Sequence, residues 1–192
     1  MKNFNSFTDE QLIRMYLTGN ANAFDALVIR HKGKIYTSIL LMVKYPQTAD
    51  DIFQEVFIRI IKSLKKGSYK ENGKFLSWAI CVAHNMCIDY FRKQKNSRLF
   101  SAGDTYDEYN LAGTDESSAE NGITGREIRE KILQILDRLP AEQREIVILR
   151  HYADMSFKEI AALTSCSINT ALGRMRYALQ NLRRYAGELA EV

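Results

Sequence analysis

Proline is nearly missing from this chain. Two occur in 192 residues, Pro46 and Pro140, beside ten glycines. With so few breakers, helix is permitted almost everywhere. No stretch shows the alternation of a half-buried strand. Cysteine is scarce too. Cys81, Cys87 and Cys166 are odd in number and form no C-x-x-C pair. That excludes a disulfide framework and fits a reducing cytoplasm, with each thiol a small buried hydrophobe. No apolar run reaches the ~18 residues of a membrane span. The longest, IYTSILLMV, is broken by polar residues and flanked by Lys34 and Lys44. The opening MKNFNSFTDEQ lacks the apolar region of a secretory signal. A glycine-rich phosphate loop is absent, and no nucleophile, base and orienting group stand together. Neither an enzyme nor a cofactor is expected. Cys81, His84 and Cys87 are spaced C-x2-H-x2-C, but steps of three on one helix spread the side chains apart and no fourth ligand is near. No metal is expected either.

Positive charge is missing from one stretch. Between Arg98 and Arg126 there is no Lys or Arg, while Asp104, Asp107, Glu108, Asp115, Glu116 and Glu120 lie among Gly, Ser and Thr. This composition reads as an acidic flexible linker over residues 98–124. Hydrophobic residues make up 46% of the chain, enough for real cores on either side. The expected fold class is all-α, with two small helical domains over 1–97 and 125–192.

Helical periodicity fills both blocks. Thr8 with Gln11 makes a capping box before Leu12 and Ile13. Separate helices are expected from Ala23, over Ile35–Val43, over Ala49–Leu64 and over Phe75–Gln94. In the second block Pro140 opens a helix running to about His151. Ser156 with Glu159 is another capping box, TSC is a tight turn, and Ser167 suits the N-cap of a last helix. Ile168, Leu172, Met175, Leu179 and Leu182 recur there as one apolar stripe.

Three polar constellations follow. On the last helix Asn169, Thr170, Gly173, Arg174, Arg176, Tyr177, Gln180, Arg183 and Arg184 share the other side with no acid among them. A helix-turn-helix lays its second helix in the DNA major groove, where Asn and Arg reach base edges. Gly173 is costly inside a helix unless a partner's approach needs bare backbone there. The plainer reading is a helical hairpin with a solvated basic face. In ADDIFQEVFIRIIKSL, Asp51, Gln54 and Glu55 form a polar patch in a very apolar helix; Asp51 and Glu55 repel at four residues' spacing, which points to a basic partner. The plainer reading is a solvated acidic face. Finally, Arg59, Lys62, Lys65, Lys66, Lys70, Lys74, Arg92, Lys93, Lys95 and Arg98 cluster with Tyr69, Phe75, Trp78, Tyr90 and Phe91. Bases stack on rings while cations follow the phosphates of a single strand. Core packing is the plainer role of Phe75 and Trp78, whereas Tyr69 sits in a polar loop.

Taken together these segments resemble the bacterial sigma factors of the sigma-70 family, in the small extracytoplasmic function (ECF) group. GNANAFDALVIRHKGKIY resembles the start of region 2. TADDIFQEVFIRII is similar to the family's D-x-x-Q-E-x-F core-polymerase-binding segment. FLSWAICVAHNMCIDYFRKQKN resembles the segment that melts and reads the −10 element. LPAEQREIVILRHYADMSFKEIA with the hairpin resembles region 4, which binds the −35 element. The resemblance implies a protein that binds core RNA polymerase, through its beta-prime and beta subunits, and directs it to promoter DNA. Asp51, Gln54 and Glu55 would face the beta-prime coiled coil. Asn85 would line a pocket for a flipped −10 base, Tyr69 would lie on the extruded strand, and Arg92 and Lys93 would hold phosphates. Ser167, Asn169, Thr170, Gly173, Arg174 and Arg176 would face the −35 groove. An anti-sigma partner, a cytoplasmic location without membrane insertion, and a linker passing through the RNA exit path are implied as well. Ser165 stands where many members have Gly, Leu172 where many have Lys, and Gly173 where many have Ser. Two rivals remain at this point: a helix-turn-helix regulator that is not a polymerase subunit, and an RNA-binding adaptor using only the basic block.

Overall fold

A computed structural model describes residues 4–70, 72–100 and 131–190, with side chains omitted at 96–100 and at 189 and 190. The proposed acidic linker lies almost wholly outside the described residues. All regular structure among them is helical: a short 3-10 turn Phe4–Ser6, then α1 (Asp9–Leu17), α2 (Ala21–Val43), α3 (Pro46–Lys65), α4 (Phe75–Phe100), α5 over 131–137, α6 (Ala141–His151), α7 (Phe157–Leu163) and α8 (Ile168–Ala190). The chain divides into two compact units, one of Met1–Ile39 with Gln47–Glu108, the other of Leu40–Pro46 with Tyr109–Val192.

In the first unit, Thr8 caps α1 as expected. Its hydroxyl accepts from the Gln11 amide at 3.3 Å and the Gln11 side chain returns the bond at 2.9 Å. The sequence places two helices between Ala23 and Val43; the structure has one, α2, running straight through Gly33. A lone glycine costs ~1 kcal/mol in a helix interior. The buried run Leu27, His31, Ile35, Ser38 and Ile39 supplies a packed face on both sides of it and keeps the helix whole. Helix α4 also runs to Phe100 rather than Gln94. The core gathers Leu12, Leu27, Ile35, Ile60, Phe75 and Ile80, all essentially inaccessible. Cys87 belongs to it, and burial pushes its thiol up to about 12. Such a thiol stays protonated near neutral pH.

A polar clasp ties the N-terminal segment to α2. Asp9 pairs with Arg30 at 2.6 Å and with the His31 ring at 2.8 Å, and Arg30 also donates to the Phe7 carbonyl at 2.8 Å. Burial alone would push the Asp9 carboxyl up, but His31 and Arg30 together hold it below its ordinary 3.8. A lowered folded-state value means stability present above 3.8 and lost as pH falls through it. Asp9→Asn is therefore expected to lower the melting temperature at neutral pH, by roughly 1–2 kcal/mol of stability. The gap between variant and wild type should close on acidification below pH 3.8, as followed by circular dichroism melts.

The second unit is built on α6, α7 and α8. Arg144 of α6 is buried, and its guanidinium donates to the Leu139 carbonyl at 3.1 Å and to Asp137 at 3.2 Å. Ser156 and Glu159 close the capping box of α7. The turn that follows is a left-handed helix stop. Ser165 has φ 52° and the Cys166 amide donates back to the Ala161 carbonyl at 3.0 Å. Asn181 of α8 donates to Gln143 of α6 at 2.7 Å.

Candidate nucleic-acid interface

Helix α3 is sharply two-sided. Ala49, Ile52, Val56, Phe57, Ile60 and Leu64 are buried, and Asp51, Gln54 and Glu55 all point to solvent. Spacings of three and four put those three on one face, so the polar patch read from the sequence is a real surface. Among the described residues, no ion pair within 4.0 Å engages Asp51 or Glu55. Four residues apart, the two carboxylates repel each other across that face.

Helix α4 carries the second surface. Asn85 is exposed although Ala83, His84, Met86 and Cys87 around it are all buried. Its amide is therefore presented by a rigid, packed helix. One turn and more onward, Arg92 and Lys93 are exposed; Arg92 meets Asp89 at 3.1 Å, in a solvent-facing pair of little energetic weight. The aromatic block sorts unevenly. Phe75 is core, as expected. Tyr69 is not on an open loop. Glycines at 67 and 73, with φ 70° and 73°, turn the chain so that the tyrosine ring folds back onto Trp78, centroids 4.4 Å apart, and lies 6.1 Å from Phe75. The expectation that Tyr69 escapes core packing is corrected: the ring is half-buried and serves to fix the loop. The most exposed ring of the block is Phe91, between Tyr90 and Arg92.

The third surface is α8. Ser167 accepts from the Thr170 amide at 3.0 Å, so it is the N-cap, and its hydroxyl meets that of Thr170 at 2.8 Å. Asn169, Thr170 and Arg176 are exposed, and Arg174 is half-buried at the margin. The inner face is not the one the apolar stripe marks. Ala171 and Ala178 are fully buried, whereas Ile168, Leu172 and Leu179 remain 46%, 45% and 42% exposed. Helices that cross closely, as α8 does over α6 and α7, meet through small side chains, and the bulky ones are displaced to the flank. There Phe157, Leu172, Met175 and Leu179 line a shallow groove, edged by Arg176 and Arg183. Opposite the alanines lies the face of Asn169, Gly173, Tyr177 and Gln180. Tyr177, read from the sequence as part of this acid-free side, is 60% exposed.

Two family models match the chain: Sigma-70 region 2 over residues 27–97 and Sigma-70, region 4 over residues 129–182. The chain belongs to the sigma-70 family, in its ECF group. It is a polymerase-binding sigma factor that directs initiation at particular promoters. Its relatives include the RNA polymerase sigma-H factor of Pseudomonas aeruginosa, 29% identical over 87% of this chain and 88% of that one. The ECF RNA polymerase sigma-E factor of Escherichia coli is 28% identical over 91% and 93%. Among solved structures, the sigma factor RpoE bound to the anti-sigma factor NepR from Bartonella quintana superposes with a TM-score of 0.66, at 18% identity, over 85% of this chain and 96% of that one. CnrH bound to the cytosolic domain of CnrY gives 0.58, at 21% identity, over 94% and 97%. The likeness to these two is one of fold.

Proposed function

We propose a division of labour among the three surfaces. Asp51, Gln54 and Glu55 of α3 dock on the beta-prime coiled coil of core RNA polymerase, and further contacts reach the beta subunit. Asn85 takes a flipped base of the −10 strand, with Arg92 and Lys93 on its phosphates and the Tyr69 loop beside it. Ser167, Asn169, Thr170, Gly173, Arg174 and Arg176 face the −35 duplex. The working domains are residues 1–97 and 125–192, joined by the acidic linker 98–124. The protein acts in the cytoplasm and carries no catalysis of its own, the chemistry being the polymerase's. No described helix is long and apolar enough to cross a membrane. An anti-sigma partner is part of this reading, since both structural neighbours were solved with a bound partner, NepR in one case and the cytosolic domain of CnrY in the other.

The observation that carries the reading is Asn85, a lone exposed amide on a helix whose neighbouring side chains are buried. Its sequence neighbours Ala83, His84, Met86 and Cys87 are buried, so the helix holds that amide at a fixed place on the surface. The deciding experiment mixes the chain with core polymerase and a pooled promoter library and sequences the transcripts. Specific starts sharing upstream elements support the reading. Failure to join core, with tight binding to duplex DNA by the chain alone, would show a plain helix-turn-helix regulator instead.

Gly173 gives a further check. A Cβ built there meets nothing within 4 Å, so the chain itself gives no reason for glycine. Gly173→Ala is expected to raise the unit's stability by about 1 kcal/mol. The same change should weaken −35 duplex binding roughly tenfold, by interposing a methyl group where backbone meets DNA. Melting curves and fluorescence anisotropy report the two effects separately.

A further inference from the structure

On α3, the face that bears Asp51, Gln54 and Glu55 does not stop with them. Positions seven and eleven beyond Asp51 fall on the same side of a helix, and these are Ile58 and Lys62. Ile58 is 51% exposed. One exposed isoleucine is ordinary on a protein surface. This one differs by position. It sits one turn from both Gln54 and Glu55, with Lys62 a turn beyond, and so occupies the middle of a polar, charged face. The helix does not need it there, because a β-branched residue is a poorer helix former than Lys, Glu or Ala at a solvent position. Nor does the core, whose contacts with α3 come from Ile52, Val56, Phe57 and Ile60 on the far side.

An apolar centre ringed by polar groups is the build of a protein–protein contact, where binding energy concentrates in a few desolvated side chains within a hydrated rim. We propose that Ile58 is the apolar anchor of the core-polymerase interface. It seats in a hydrophobic recess of the polymerase surface, flanked by the basic groups that Asp51 and Glu55 meet. The inference rests on the assignment of Asp51, Gln54 and Glu55 to that interface. It adds what those residues do not supply, a dry contact at the centre of the patch.

The test uses the full chain and core RNA polymerase, with affinity read by competition against a labelled copy. Ile58→Ala is expected to weaken core binding by about 10- to 30-fold. Ile58→Leu should stay within about threefold, since it keeps the apolar volume. Ile29→Ala is the control, an isoleucine of α2 that is 67% exposed and lies on another helix, and it should bind as wild type. Melting temperature and −35 duplex affinity should be unchanged in all three. Wild-type core binding by Ile58→Ala, with binding lost in the Gln54→Ala, Glu55→Ala double variant, would overturn the anchor and leave the interface in place. Normal binding by that double variant as well would overturn both. Equal losses at Ile29 and Ile58, or a loss tied to a lowered melting temperature, would also overturn it.

Discussion

Changing Gln54 and Glu55 together to alanine is expected to abolish promoter-specific transcripts in a system reconstituted with core RNA polymerase. Both side chains are exposed on α3, and the buried face of that helix is made by other residues. The double variant should therefore fold and melt as wild type; alanine is, if anything, the better helix former. The loss falls on association. Removing two polar interface side chains beside the centre of a contact costs roughly 1.4 kcal/mol or more each, which multiplies to about a hundredfold or greater loss of affinity. The variant should still bind −35 duplex through α8. That separation distinguishes loss of docking from unfolding. Core competition binding and run-off transcription, measured side by side, check it.

The second large effect is expected at Asn85. Asn85→Ala removes a donor and an acceptor from the one open polar position in that part of α4. A bidentate contact between an amide and a base edge is worth about 1–3 kcal/mol, so open-complex formation should fall roughly 10- to 100-fold. Binding to core polymerase should hold. Asn85→Asp keeps the shape but replaces the amide donors with a carboxylate beside phosphates, and should fall at least as far. Permanganate reactivity of the unpaired −10 thymines, followed beside transcript yield, tells failed melting from failed recruitment.

Much of this was legible in the residues. The two capping boxes, at Thr8 with Gln11 and Ser156 with Glu159, fix helix starts by local chemistry alone, and both formed as written. The apolar spacing of α3 names its buried face, and by subtraction the exposed patch. What could not be read depended on contacts distant in sequence. Gly33 looks like a break until the buried face on both sides of it is seen to hold α2 together. Tyr69 looks solvated until the two glycine turns bring its ring to Trp78. On α8, hydrophobicity marks Ile168, Leu172 and Leu179, but close crossing selects Ala171 and Ala178, about 90° away around the helix at 100° per residue. Periodicity finds the most apolar stripe; packing distance decides which stripe goes inward.

The two buried alanines of α8 carry a consequence for how such a protein changes over generations. They anchor the helix with side chains that have no room to grow, while Asn169, Tyr177 and Gln180 on the opposite side are exposed. With that side on the −35 duplex as proposed, substitutions there would alter what is recognised at little expense in folding. Promoter preference can therefore drift, or be redesigned, in small viable steps, whereas enlarging Ala171 or Ala178 would unseat the helix and every contact with it.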